Sequence, residues 1–364
     1  MFCVFCAVKR RFAGCFCDFS DERARESAYQ KPIARVARGL RERSPSITAM
    51  NFIMPHIHRG IQLAMAFILG APAIGGEPRL EFRKGGNLML AWQVESLADP
   101  KGGEKFAASA FIHPLRTPGG FECTTIQPSD HLHHLGIWWP WKHVEVDGKK
   151  FNTWEIQESQ GAHVARSVKT LANEPGKAEW ELHNETVIKK QGAAPEVVIH
   201  ETARMVLTAD KDATVLDITL RQEAADAPVT IPTHRYSGFS WRGPASWNKD
   251  NSTMTTSGGK GRDDANGTPA RWLMVSGPTS QGTATVLILS AAEKLAGTPE
   301  NLRVWDSKTH HGAPFVNFNP VMQKPLPLDD AHPAVSQRKY RVIAADRVID
   351  AAAADAEWRK WTGG

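Results

Sequence analysis

Residues 178–183 read AEWELH, and residues 216–221 read LDITLR. In both, apolar and polar side chains alternate with a period of two. A strand with one buried face requires that period; a helix needs its apolar residues three and four apart. Runs of the same kind recur at 88–94, 196–207, 271–275, 283–289 and 338–344. Turn signals separate them, among them Gly85-Gly86-Asn87 and Asp147-Gly148. The Asp147-Gly148 pair, between HVEV and KKFN, predicts a two-residue hairpin turn, because both of its central positions need a positive φ. Only DAAAADAEWRKW, residues 350–361, predicts a helix, with Asp350 as its N-cap. Many strands without intervening helices predict an all-β fold: one large antiparallel β-sandwich over 76–364, closed by a short C-terminal helix. Residues 243–269, GPASWNKDNSTMTTSGGKGRDDANGTP, predict a long polar loop.

The chain before this pattern is different in kind. Residues 1–49 contain Cys3, Cys6, Cys15 and Cys17, with nothing periodic around them to wrap a zinc ligand set. They are expected to be an extension outside the working protein. Met50 and Met54 open a second beginning, with Arg59 followed by an apolar run from Ile61 to Leu69. Small residues come next, Ala71-Pro72-Ala73 and Ala73-Ile74-Gly75. That order is the grammar of a secretory signal peptide, so 50–75 is expected to be removed and the protein to be periplasmic or extracellular. The apolar run is too short to span a bilayer, and the mature chain contains no membrane span.

The formal charge of +5 is carried by this leader. Residues 1–75 hold 11 Lys/Arg and 5 Asp/Glu, leaving 33 and 34 for the remainder. With no basic patch or stripe, nucleic acid is excluded as a partner. A carbohydrate or other small-molecule substrate is the partner class that remains.

Chemistry concentrates in residues 130–141, DHLHHLGIWWPW. In an extended backbone His131 and His133 point one way and His134 the other. Such a pair chelates a metal when a third ligand comes from elsewhere, and His113 in FIHPLRTPGG is the candidate; a divalent cation on His113, His131 and His133 is therefore one expectation. The same residues suit acid/base work, since histidine titrates near neutral pH, with His133 or His134 moving the proton and Asp130 orienting the ring. A third reading is a set of structural histidines at a sheet edge. All 12 tryptophans lie beyond residue 75. Indole faces suit the apolar face of a sugar ring. Trp138 and Trp139 are adjacent in an alternating strand, so at least one is expected to line a surface or cleft, and Trp305 is expected beside a loop. Further candidates for holding substrate are Arg116, Glu155, His234, Asp306 and Asn317, with Glu158, Arg235, His310 and His311 as neighbours. Glu155 and Asp306 are the candidates for a glycosidase carboxylate pair. A serine nucleophile lacks its G-x-S-x-G turn, and Cys123 has no basic partner nearby in sequence.

FIHPLRTPGG, DHLHHLGIWW and FNTWE, followed by APVTIPTHRYSGFSWR, ARWLMVSGP, GAPFVNFNP and the terminal YRVIAADRVIDAAAADAEW, resemble the bacterial "PmoA family", a domain of unknown function. The resemblance covers roughly 79–362. It implies a secreted sandwich akin to the galactose-mutarotase-like supersandwich, with His113, Asp130, His131, His133 and His134 as the site. Leu135 departs from the arginine many members carry there. LRVWDSKTHHGAP departs from their WHVRDYG-type stretch, with His310 and His311 as replacements for its histidine. Methane oxidation is excluded, because a membrane oxygenase subunit needs several apolar spans of about 20 residues.

Three functions remain open. One is an exported carbohydrate-active enzyme (hydrolysis, elimination or epimerisation) that uses His133 or His134, oriented by Asp130, with Arg116 and His113 holding substrate and tryptophans stacking on it. The second is a non-catalytic glycan-binding module. The third is a metal-dependent oxidoreductase or hydrolase.

Overall fold

The computed structural model describes residues 79–328 and 337–363. The segments expected to be an N-terminal extension and a signal peptide at 50–75, with the four early cysteines, lie outside the described residues. These described residues fall within one compact unit, Phe67–Gly364.

Two eight-stranded antiparallel sheets form the sandwich. The first runs in the spatial order Arg79–Lys84, Asn87–Gln93, Phe111–Leu115, Ile137–Trp138, Phe239–Arg242, Phe315–Asn319, Glu300–Val304, Pro269–Ala270. The second runs Thr253–Thr256, Trp272–Thr279, Gly282–Ser290, Gln337–Ala345, Ala213–Ala224, Glu196–Ala209, Lys177–Ile188, Gly161–Glu174. AEWELH and LDITLR are where the period predicts, in the long strands of the second sheet. Trp180 and Leu182, and Leu216, Ile218 and Leu220, all point into the core. The main core takes side chains from both sheets, with Leu90, Trp92, Ile137, Trp139, Trp241, Val304, Val316 and Phe318 from the first. Each such large apolar side chain contributes about 1.5–3 kcal/mol on leaving water.

The predicted hairpin is present. His143–Val146 pairs with Lys149–Asn152, and Asp147 and Gly148 both have positive φ, 52° and 70°. The predicted helix spans Ala351–Thr362, and the Asp350 carboxylate accepts a hydrogen bond from the Ala353 N–H at 2.8 Å. The polar stretch 243–269 is more ordered than its composition suggests. Thr253–Thr256 pairs with Trp272–Thr279 at the edge of the second sheet, and Arg262 is buried.

The face of the first sheet turned away from the main core builds the site. Alternation places Trp138, Ser240, Arg242, Arg303, Phe315 and Asn317 on that face, while Trp139, Trp241, Val304 and Val316 face the core. In register, Trp138 lies opposite Ser240, Ser240 opposite Asn317, and Asn317 opposite Arg303. Trp138, Trp154, Trp305 and Phe315 form a separate apolar cluster on this face. The expectation that Trp138 or Trp139 lines an open cleft is corrected. The strand does split them to opposite faces, but both faces are covered, and the two are 2% and 1% exposed.

Candidate functional site: a histidine cluster on the outer face of the first sheet

Residues 128–134 form successive turns, with His131 N–H bonded to Pro128 O at 2.9 Å and His134 N–H to His131 O at 3.0 Å. The strand geometry assumed for the His-x-His pair is thus replaced by turns. The base of this loop is stitched to the sheet. Gln127 N–H reaches His134 O at 2.7 Å, Arg242 N–H reaches Gly136 O at 2.7 Å, and Thr125 N–H reaches Arg242 O at 3.0 Å. Gly136 has φ 72°, and a Cβ there would meet Ile112 O at 2.4 Å, so no other residue fits.

A second loop brings His310. Asp306 Oδ1 accepts from Thr309 N–H at 2.8 Å and Thr309 Oγ1 at 2.7 Å. Arg262 grips the turn through Gly312 O and reaches back to Ser252 O at 2.9 Å. His310 and His311 adopt φ of 47° and 56°, a region that non-glycine residues rarely occupy.

The two loops meet over Trp305. Its ring lies 5.0 Å from His131, 4.2 Å from His310 and 4.5 Å from the Arg242 guanidinium. His131 and His310 meet edge to face at 4.7 Å, and His133 contacts His131 at 5.4 Å. Arg242 donates to Asp130 Oδ2 at 2.8 Å. The same oxygen is 3.6 Å from His131 Nδ1 and 3.7 Å from His310 Nδ1. Burial by itself would raise the Asp130 carboxyl, but His131 and Arg242 hold it well below the usual carboxylate range.

His133 also feels the charges of a second ion pair. Lys142 and Glu155 are ion-paired, and Asn152 donates to Glu155 at 2.8 Å. Burial would raise Glu155; the Lys142 ammonium and these hydrogen bonds bring it down to about 2. Burial pushes the His133 imidazole down to about 3, helped by His131 and opposed by Glu155. Beside Lys142, His143 meets His234 edge to face at 5.3 Å, and burial with the His234 charge lowers His143 to about 4.

Of the expected residues, the structure brings together Asp130, His131, His133 and Trp305, while Glu155 pairs with Lys142 and acts on His133 through its charge. Several others take different roles. His113 and Arg116 form their own group: His113 Nδ1 lies 2.9 Å from Thr124 Oγ1, its Nε2 is 3.7 Å from Glu122, and Arg116 donates to Glu122 at 2.9 Å. The strand carrying His113 is separated from the Arg242 strand by Ile137–Trp138. The expected metal set His113, His131, His133 is corrected accordingly. Among the described residues, the ligand atoms within 4.8 Å of one another belong to Asp130, His131 and His310. His134 is buried and stacked on Phe315 at 4.9 Å. Burial, with the neighbouring histidines and Arg242, keeps it well below the ordinary imidazole value, and it packs rather than meeting substrate. Asn317 is fully buried and bonded to Ser237 O, Phe239 O and Ser240 Oγ, so it ties strands together. Asp306 spends its oxygen on the turn that carries His310. Trp305 is a floor beneath the histidines rather than an open platform. His234 is half-buried, its Nδ1 accepting from Tyr236 N–H at 3.0 Å. Cys123 is buried, and burial raises its thiol.

Arg242 and Lys142 were not anticipated. Each follows a tryptophan, in FSWRG and WPWKH, and a cation directly after a tryptophan was the only available signal.

A family of unknown function (DUF6807) matches residues 79–359. The chain belongs to this family. Its description does not support the PmoA label, so the resemblance holds only for an unknown-function family over nearly the same residues. A comparison with curated proteins returned no match. Among solved structures, the chain is similar to the crystal structure of GH36 alpha-galactosidase AgaA from Geobacillus stearothermophilus, with 9% identity and a TM-score of 0.35, over 74% of this chain and 39% of that one. At those values the likeness carries no argument about DUF6807. No described helix of this DUF6807 chain is long and apolar enough to cross a membrane.

Proposed function

We propose that this chain is an exported enzyme that acts on a carbohydrate or sugar derivative, with the histidine cluster as its centre. The observation that carries this reading is the ring contact of His133 with His131, which joins it to Asp130 and His310, within the electrostatic reach of the Lys142–Glu155 pair. Imidazoles, carboxylates and cations gathered in one cluster supply both donors and acceptors, which is what sugar hydroxyls need. Export rests on the leader at 50–75.

The charge states favour one branch of the chemistry. Ordinary glycoside hydrolysis needs one carboxyl kept protonated as the acid. Glu155 and Asp130 are both held ionised at neutral pH, and Asp306 is occupied in its turn. His133 is held neutral, with Glu155 opposing the burial that weakens it as a base, and the Lys142 ammonium can stabilise the negative charge that develops. That combination suits removal of a carbon-bound proton, so elimination or epimerisation is favoured over two-carboxylate hydrolysis. A glycan-binding module relying on tryptophan faces has less support, because Trp138, Trp139, Trp154 and Trp305 are all buried.

The test is a panel of sugars and oligosaccharides incubated with the full chain in heavy water. Unsaturated products, or deuterium at a ring carbon, are expected, and both disappear in His133→Ala. Undiminished turnover by that variant sinks the proposal. A second reading, a metal-dependent hydrolase or oxidoreductase, is favoured by one observation: the close approach of Asp130, His131 and His310.

A further inference from the structure

We propose that Asp130, His131 and His310 bind one divalent first-row transition metal ion, with Arg242 as an outer partner that holds Asp130 in place. The inference deepens the metal-dependent reading above and rests on it for its location.

The spacing is the starting point. Asp130 Oδ2 is 3.6 Å from His131 Nδ1 and 3.7 Å from His310 Nδ1. Both separations are too long for a hydrogen bond, which closes to about 2.7–3.2 Å. They are close to what two ligands of one ion require: bonds of about 2.0–2.2 Å at a tetrahedral angle place neighbouring ligand atoms about 3.4 Å apart. All three ligand atoms lie within 4.8 Å of one another, so a small inward movement of His310 completes the set.

The second observation is an unsatisfied atom. His131 Nδ1 is buried and has no hydrogen-bond partner. A buried ring nitrogen normally finds a close donor or acceptor, and the nearest carboxylate oxygen to this one, Asp130 Oδ2, stands at 3.6 Å. The third is orientation. The His131 and His310 rings are nearly perpendicular, at 84°, so their nitrogens approach from different directions, as ligands around a common centre do. The two loops that present them are independently braced, one through Gly136 and Arg242, the other through Asp306 and Arg262.

The donor set selects the ion. Two imidazole nitrogens and one carboxylate oxygen suit Zn²⁺, Fe²⁺, Co²⁺ or Mn²⁺. Calcium and magnesium prefer oxygen throughout. Three protein ligands leave positions for substrate oxygens, the pattern of a reactive rather than a purely structural ion. Arg242 shares the Asp130 oxygen at 2.8 Å, so the carboxylate reaches the ion already ionised and oriented, a role that outer partners of metal ligands often serve.

The experiment uses the full chain with Cys3, Cys6, Cys15 and Cys17 changed to serine, so that thiolates do not contribute. It is stripped with a chelator and then given Zn²⁺ or Co²⁺ alone. After excess metal is removed, mass spectrometry is expected to find about one ion per chain, as for a single mononuclear site. His310→Ala and Asp130→Asn are each expected to weaken binding by at least about tenfold, while His113→Ala leaves it unchanged. If a variant does not fold, electron paramagnetic resonance of the unaltered site loaded with Cu²⁺ counts its imidazole nitrogens. Two support the assignment and any other number overturns it. No retained ion, or loss in His113→Ala with retention in His310→Ala, also overturns it. One ion per chain without turnover of any sugar supports the metal site and removes the carbohydrate reading. Sugar turnover by a chain that holds no ion does the reverse.

Discussion

Two carboxylates lie on opposite sides of the Trp138–Trp139 pair, and they are built differently. On the core side, Glu201 is 1% exposed and gathers its partners closely. Trp139 Nε1 and Asn184 Nδ2 each donate at 2.8 Å, Gln222 donates to the other oxygen, and His163 lies at 3.3 Å. On the outer side, Asp130 is 27% exposed and has one close partner, Arg242, with two imidazoles held at 3.6 and 3.7 Å. A structural carboxylate collapses onto its donors because every unmade bond in a dry interior costs free energy. The outer group stops short of collapse, with both imidazoles beyond hydrogen-bond reach of the carboxylate; unpartnered buried atoms occur on both sides, His131 Nδ1 and Arg242 Nη1 here and His163 Nε2 and Asn184 Oδ1 beside Glu201.

The largest test of that contrast is removal of each carboxylate. Glu201→Ala leaves Trp139, Asn184 and Gln222 without their acceptor and His163 without the carboxylate it faces, and a loss of about 3–5 kcal/mol in urea unfolding is expected. Asp130→Asn keeps an acceptor for Arg242 and is expected to cost only about 1 kcal/mol of stability. Equal losses would break the comparison.

Next comes activity. His133→Ala is expected to lower turnover by about 10²–10⁴-fold, the range for losing a positioned acid/base. The unfolding free energy should move much less than in Glu201→Ala. Steady-state rates on whichever sugar the panel identifies, taken alongside a urea curve, separate the two effects.

Acid sensitivity sharpens the contrast further. His133 falls from 6.5 to about 3 and His143 from 6.5 to about 4 in the folded chain. The unfolded chain therefore takes up those protons first. The stability involved is fully present above pH 6.5 and is lost as pH falls toward 3–4. Glu201 falls from 4.5 to about 2, so its contribution is present above 4.5 and is lost only below that. Melting temperatures between pH 8 and pH 3 are expected to begin falling at the outer site's window. In His133→Ala the slope between 6.5 and 4.5 should lessen by up to one proton, about 1.4 kcal/mol per pH unit. An unchanged slope would show that burial of this ring does not govern its titration.

The smallest effect belongs to a position remote from both groups. Asp350→Ala removes the N-cap of the C-terminal helix and is expected to cost about 0.5–2 kcal/mol without changing turnover or metal content.

The strands, the hairpin at Asp147-Gly148 and the capped helix were legible because each depends on neighbours in the chain: period, φ preference, or a side chain three residues from the N–H it accepts from. DHLHHLGIWWPW was legible as a place of chemistry by its composition, but its internal geometry was misread. Turns rather than an extended strand set the directions of His131 and His133. Asn317 and Asp306 looked like substrate contacts because nothing local showed that strands and a turn already claimed them.

The sequence alone determined that this chain is an antiparallel β protein with a resemblance to an unknown-function family over nearly its whole described length, and that one short stretch concentrates its histidines. Tertiary structure decided the partners. His310 comes from 180 residues along the chain to face Asp130, Arg242 arrives from another strand to hold that carboxylate, and His113 is left with Glu122 and Thr124. Strand order, which no local periodicity encodes, puts Ile137–Trp138 between the His113 and Arg242 strands and so separates one expected ligand from the others.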